Sequence, residues 1–168
     1  KGSTMEGGMR VPCVMQWPDR IPSGRECKAM ASTIDLLPTF AALAGVKPPQ
    51  DRTIDGKDIR ELMMGSRQES PHEAFYFYQM DQLQAVRSGK WKLHLPFAVK
   101  KRNWGKPMID EPLRLYDVEA DIAEEHDVAA EHPEVVQRLA ELAKKAMLDL
   151  GHERFAGAGQ RPAGRVEN

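Results

Sequence analysis

The sequence predicts a mixed fold, α/β passing into α+β, and three observations carry that prediction. Four short strand-like runs lie between Ala74 and Asp117, and the last two alternate charged and apolar residues with period two, as antiparallel strands with one covered face do. Behind Pro133, the residues Val135, Leu139, Leu142/Ala143, Ala146 and Leu150 repeat with helical spacing and form one apolar stripe. Residues 1–65 hold a helical pattern set between turn-rich stretches, a different organisation from the second half.

In chain order, Lys1-Gly-Ser-Thr-Met-Glu-Gly-Gly-Met-Arg10 is dense in glycine and small hydroxyl residues. Taken alone, it reads either as an ordinary polar loop or as a loop presenting a charged side chain to a ligand. Val11 to Trp17 is apolar and β-branched without a helical period, which predicts a short, mostly buried strand, with Pro12 at its entry. Pro18 to Gly24 is turn chemistry. Ser32 or Thr33 caps the next helix, with Asp35 in its first turn, Ile34, Leu37, Ala41 and Leu43/Ala44 on its apolar side and Gly45 just past its end. Pro38 sits inside that pattern and predicts a kink or a lost backbone hydrogen bond. Asp55-Gly-Lys-Asp58 is a turn, and a short helix from Ile59 to Met64 stops at Gly65.

Ala74 to Tyr78 and Leu83 to Arg87 are the first two strands, and the aromatics of the first are read as core and cross-strand pairs. Ser88-Gly89 makes a tight turn into the third strand, Lys90 to Leu95, and Leu113 to Asp117 is the fourth. Between the last two runs a loop carries Lys100, Lys101, Arg102, Trp104 and Lys106, read as a solvated surface rather than a glycan or nucleic-acid contact. The helix begun at Pro133 is expected to cover the apolar face of the sheet, with Glu134/Arg138 and Glu141/Lys145 paired along it. Residues 151–168 lack periodicity and are read as an extended tail.

The chain has 168 residues, with 24 basic and 25 acidic side chains. This near balance gives no electrostatic footprint for nucleic acid. No apolar run approaches the roughly 18 residues of a membrane helix. Two cysteines, Cys13 and Cys27, leave a single disulfide possible, although Cys13 in its apolar run reads as a small buried hydrophobe. Neither belongs to a Cys-x-x-Cys pair, so no metal site is expected.

The opening segment, followed by a Val-Pro run and Trp17-Pro18, resembles the Lys-Gly-(Ser/Thr)-Thr-x-Glu-Gly-Gly-x-Arg stretch of the formylglycine-dependent sulfatases of the alkaline-phosphatase superfamily. Four further stretches resemble the same family in the same order. They are Ser32 to Gly45, Asp55-Gly-Lys-Asp58 with Leu62 to Gly65, Ala85 to Lys92, and Leu115 to Asp121. The resemblance runs to about residue 150 and is to the carboxy-terminal portion of a sulfatase. It implies that residues 1–68 complete the edge of the large α/β domain. Residues 69–150 would form a small four-stranded antiparallel sheet with a long helix.

By that resemblance Lys1 binds sulfate oxygens. Glu6 and Arg10 are read as a pair holding the loop that aims it, in preference to direct substrate contact. The family's nucleophile is a formylglycine made from a Cys/Ser-x-Pro-x-Arg motif, which this sequence does not contain. Its calcium ligands lie upstream, so this chain is expected to hold no cofactor itself. The implied mechanism is attack of a hydrated formylglycine oxygen on sulfur, with calcium as Lewis acid. The family's active-site histidines also lie upstream, and His72, His94, His126 and His132 have no partner visible in the sequence.

Beginning on Lys1, the chain reads as a piece of a longer protein, expected to be inactive alone and, by family, periplasmic or secreted. Its exposed sheet edge is expected to drive homo-oligomer formation. Two other readings fit the residues: a phosphodiesterase or phosphonate hydrolase of the same superfamily, and a non-catalytic module that binds a sulfated glycan.

Overall fold

The computed structural model describes residues 2–98 and 110–161. The chain divides into two compact units. Val11–Glu73 forms one, and the described residues before and after it form the other.

The second of these is built on a four-stranded antiparallel sheet. Its strands are β1 (Phe75–Gln79), β2 (Gln82–Ser88), β3 (Trp91–His94) and, after the short pair β4 (Phe97–Ala98) and β5 (Asp110–Glu111), β6 (Arg114–Asp117). The spatial order is β1-β2-β3-β6. A break in register between Phe77 and Tyr78 leaves Gln84 of β2 unpaired, since Phe77 faces Ala85 while Tyr78 faces Leu83. This bulge adds one residue to β2, and so Leu83 and Val86, three apart, point to the same face. That face, with Leu93, Leu95 and Leu115, is covered by Val135, Leu139, Leu142, Ala143 and Ala146 of the helix Pro133–Leu150. The predicted sheet and covering helix are therefore present. Arg138 donates to Ser88 Oγ at 3.0 Å.

Beyond Gly151 the described residues fold back instead of trailing as a free tail. Tyr78 donates to the Gly151 carbonyl at 2.8 Å, His152 Nδ1 accepts the Leu83 N–H at 3.0 Å, and the Ala158 N–H returns to the Leu148 carbonyl.

Within Val11–Glu73 the apolar run departs from expectation. Val11 to Trp17 forms no strand and lies exposed, Val11 at 72% and Val14 at 95%. A strand needs a neighbour for its N–H and C=O groups, and the described elements of this unit are helical turns. Cys13, expected to be buried, is exposed with the rest, and Cys13 and Cys27 are both free thiols.

The helical segment starts as a 3₁₀ turn, Thr33–Asp35, and continues as the helix Leu36–Leu43. Pro38 thus falls in the first helical turn, where no backbone partner is lost, and the predicted kink does not arise. Gly45 closes the helix at φ 72°, with its N–H on Ala42 and that of Val46 on Ala41, the paired bonds of a Schellman end. The short helix Arg60–Met64 stops at Gly65 in the left-handed region.

Asp35, fully buried, ties this unit together. It accepts the Ser32 N–H and the Lys57 N–H at 2.7 Å each and pairs with His72 Nε2 at 2.8 Å. Gly56 lies so close to the Ile34 carbonyl that a Cβ would collide with it.

Candidate functional site

Period two in β3 places Trp91 and Leu93 toward the helix, and Lys92 and His94 on the opposite face. Across β2, Arg87 is the register partner of Lys92, and Ala85 that of His94. A polar face of this kind ordinarily meets water. Here it is roofed by the glycine-rich amino-terminal segment, and Lys92 is 0% exposed.

A buried ammonium needs partners for its charge and its hydrogens. Lys92 Nζ donates to the Thr4 carbonyl at 2.7 Å and lies 3.0 Å from both Glu6 Oε1 and Glu124 Oε1. It also sits 4.4 Å from the centre of the Phe77 ring, a cation–π contact. Glu6 is held further by Arg87 at 3.3 Å, and Glu124 by His94 Nε2 at 2.7 Å. Glu124 Oε2 receives the Glu6 backbone N–H at 2.6 Å. The bulge residue Gln84 accepts a hydrogen bond from the Thr4 hydroxyl at 3.1 Å.

Burial pushes the Glu124 carboxyl upward. The hydrogen bonds from His94 and the Glu6 N–H, with the Lys92 charge and its hydrogen bond, outweigh that and hold it below the ordinary range. Thr4 and Glu6 are thus fixed to the sheet by both backbone and side chain.

The loop's composition follows from this packing. Glu6–Met9 forms a single helical turn. A Cβ at Gly8 would drive into the Ser3 carbonyl and hydroxyl, so the close return of the chain there requires glycine.

Of the residues singled out in the sequence, Lys1 lies outside the described residues, as do Lys100, Lys101, Arg102, Trp104 and Lys106. Glu6 and Arg10 come together at 3.6 Å, but Arg10 is the outermost of Glu6's cationic partners. Lys92, Arg87 and Glu124 bind it inside and were not singled out. His94 and His72, partnerless in the sequence, have carboxylate partners in Glu124 and Asp35. The signal for Lys92 was present in the strand alternation, whereas Glu124 sits in a loop without any pattern.

One group of metal-ligand residue types occurs among the described residues, Asp121, Glu125 and His126. Asp121 Oδ2 already accepts the backbone N–H groups of Glu125 and His126 at 2.9 and 2.8 Å, which makes the group a capped turn.

An antiparallel sheet backed by one helix, with a glycine-rich segment bound to its other face by buried carboxylates and a lysine, defines an α+β unit. The unit supports a loop at its amino terminus. Comparison with known proteins gives that unit a family. The family described as "N-sulphoglucosamine sulphohydrolase, C-terminal" matches residues 1–150. Human arylsulfatase A is 37% identical over 171 aligned positions, covering 89% of this chain and 33% of the relative. Mouse steryl-sulfatase is 45% identical over 96, covering 55% and 15%.

Among solved structures, Ps i-CgsB superposes with a TM-score of 0.68 at 30% identity, covering 95% of this chain and 34% of its own. The same protein in complex with k-i-k-neocarrahexaose gives a TM-score of 0.67 at 31% identity, covering 86% and 30%. The chain belongs to the sulfatase family, as its carboxy-terminal region, homologous to sulfuric ester hydrolases. It spans about a third or less of the length of these relatives. Among the described residues no helix is long and apolar enough to cross a membrane.

Proposed function

We propose that the protein carrying this chain is an arylsulfatase-type sulfuric ester hydrolase, and that the chain supplies its sulfate-binding lysine, Lys1. The observation that carries this reading is the family match over residues 1–150, which includes the whole Lys1–Arg10 stretch. An ammonium beside a sulfate ester offsets charge that moves onto its oxygens in the transition state. Glu6 and Arg10 hold the segment that bears it. The formylglycine nucleophile and the calcium ligands are assigned to parts of the protein outside this chain, and the chain alone is inactive.

Residues 1–68 would complete the edge of a large α/β domain, with residues 69–150 as the small subdomain. The exposed side chains of Val11, Val14, Leu37 and Phe40 support that reading, as apolar surface that a neighbouring domain would cover. In the isolated chain the same surface would drive self-association.

The test is turnover of aryl sulfates and of sulfated sugars, the latter suggested by the oligosaccharide complex of Ps i-CgsB. The intact protein should hydrolyse at least one of these, and Lys1→Ala should lower kcat by about 10²–10³-fold, the scale of losing one preorganised charge donor. Turnover by the isolated chain, or full activity in Lys1→Ala, would overturn the assignment. Hydrolysis of phosphate esters in preference to sulfate esters would shift it to a phosphodiesterase or phosphonate hydrolase.

A further inference from the structure

The buried cluster on the sheet's polar face binds the amino-terminal segment through both its backbone and its side chains. Five separate bonds reach residues 4–6. Lys92 binds the Thr4 carbonyl and the Glu6 carboxylate, Arg87 also binds that carboxylate, Glu124 takes the Glu6 N–H, and Gln84 takes the Thr4 hydroxyl. Two of these hold backbone atoms and three hold side chains, so both the position and the rotation of residues 4–6 are fixed. Gln84 is the bulge residue of β2, without a partner in β1 while its carbonyl still accepts the Leu95 N–H, and bulges recur where a side chain is re-aimed. Thr4 is three residues from Lys1, which is at most about 11 Å of extended chain.

We propose that Lys92, Glu124 and Gln84 are positioning residues for sulfate-ester hydrolysis, acting through Thr4 and Glu6 on the placement of Lys1. This rests on the sulfate-binding role assigned to Lys1. The carboxylates, Lys92 and Arg87 roughly balance in charge, so the cluster adds little net field at the substrate. Its contribution is geometric, and displacement of a catalytic group by an ångström costs on the order of 100-fold.

The test is a double-variant cycle in the intact protein, reading kcat and KM for an aryl sulfate together with the affinity for inorganic sulfate. Glu124→Gln removes a charge at constant shape, and Thr4→Val removes only the hydroxyl, so at least one is expected to fold. Each should lower kcat/KM by roughly 10–100-fold, with circular dichroism unchanged. Lys92→Arg, which keeps the charge but not the ammonium geometry, should lower kcat/KM as well.

The deciding readout is coupling. Combined with Lys1→Ala, neither variant should add a further loss, because the group being positioned is gone. A purely structural role would instead reduce activity by the same factor in both backgrounds, and that result overturns the inference. Normal activity in folded Glu124→Gln and Thr4→Val overturns it too. If Lys1→Ala itself has no effect, it is the sulfate-binding reading that fails.

Discussion

Replacing Lys92 by methionine tests the central cluster most directly. Methionine fills most of the lysine volume, so the change removes the charge and three donor contacts while opening little space. What remains is a pair of buried carboxylates that have lost their shared cation, 3.0 Å from each. Breaking a buried pair by deleting one partner costs about 3–5 kcal/mol, most of it from the charge left behind. Glu6 retains Arg87 at 3.3 Å and Glu124 retains His94 at 2.7 Å, which puts the loss near the lower end, about 3 kcal/mol.

With a urea slope of about 2 kcal/mol per molar, the unfolding midpoint should fall by about 1.5 M. Adding Glu124→Gln should return part of that loss, since one uncompensated carboxylate has then been neutralised. A midpoint for Lys92→Met within about 0.3 M of the parent would refute the reasoning, as would a double variant that is worse than the sum of the singles.

Three other outcomes follow from the same geometry. The Glu124 carboxyl is lower in the folded chain than its ordinary value of 4.5. The unfolded chain therefore binds the extra proton between those two values, and stability rises with pH across that window. The contribution is complete above 4.5 and is lost as pH falls through the folded value. Urea midpoints between about pH 3 and pH 6 should show a shallower slope for Glu124→Gln than for the parent. Gly56→Ala forces a Cβ against the Ile34 carbonyl, a backbone atom with little room to yield, and should cost about 3 kcal/mol by thermal unfolding. Asp35→Ala leaves the Ser32 and Lys57 N–H groups without their acceptor, at roughly 1–3 kcal/mol each. Faster hydrogen exchange at those two amides is the check, and unchanged protection there would contradict the assignment.

The elements of the sheet unit were legible because each rests on local chemistry. The alternation of Lys90 to Leu95, the Ser88-Gly89 turn and the stripe behind Pro133 all act within a few residues. The alternation showed which side chains share a face, but not what covers it. Lys92 looked like an ordinary exposed strand lysine, and its partners lie 86 residues before it in Glu6 and in the patternless loop that holds Glu124. The bulge at Gln84 was hidden for a related reason: one inserted residue is visible only against its partner strand. Val11 to Trp17 forms no strand because an apolar β-branched run states only a capacity to pair, and pairing also needs a neighbour. Pro38 is harmless because the preceding turn is 3₁₀, which moves the helix start to Leu36. Lys1 owes its role to resemblance, and Glu6 lies 3.6 Å from Arg10 while its closer partners, Lys92 and Arg87, come from strands far along the chain.

The roof over the polar face also sets an order of events. Glu6 is among the first residues of the chain, and its backbone bond to Glu124 spans 118 residues. Ring closure on that scale is entropically costly and late, as long-range contacts generally are. Until Glu124 emerges, the opening segment has no complete seat, and Lys92 waits on an otherwise finished sheet with an open face. The segment is thus a separable part of the fold, held to the sheet through Lys92, Gln84 and Glu124. A sheet assembled without it should accept residues 2–10 as a separate peptide, the two parts meeting through the same carboxylates and lysine.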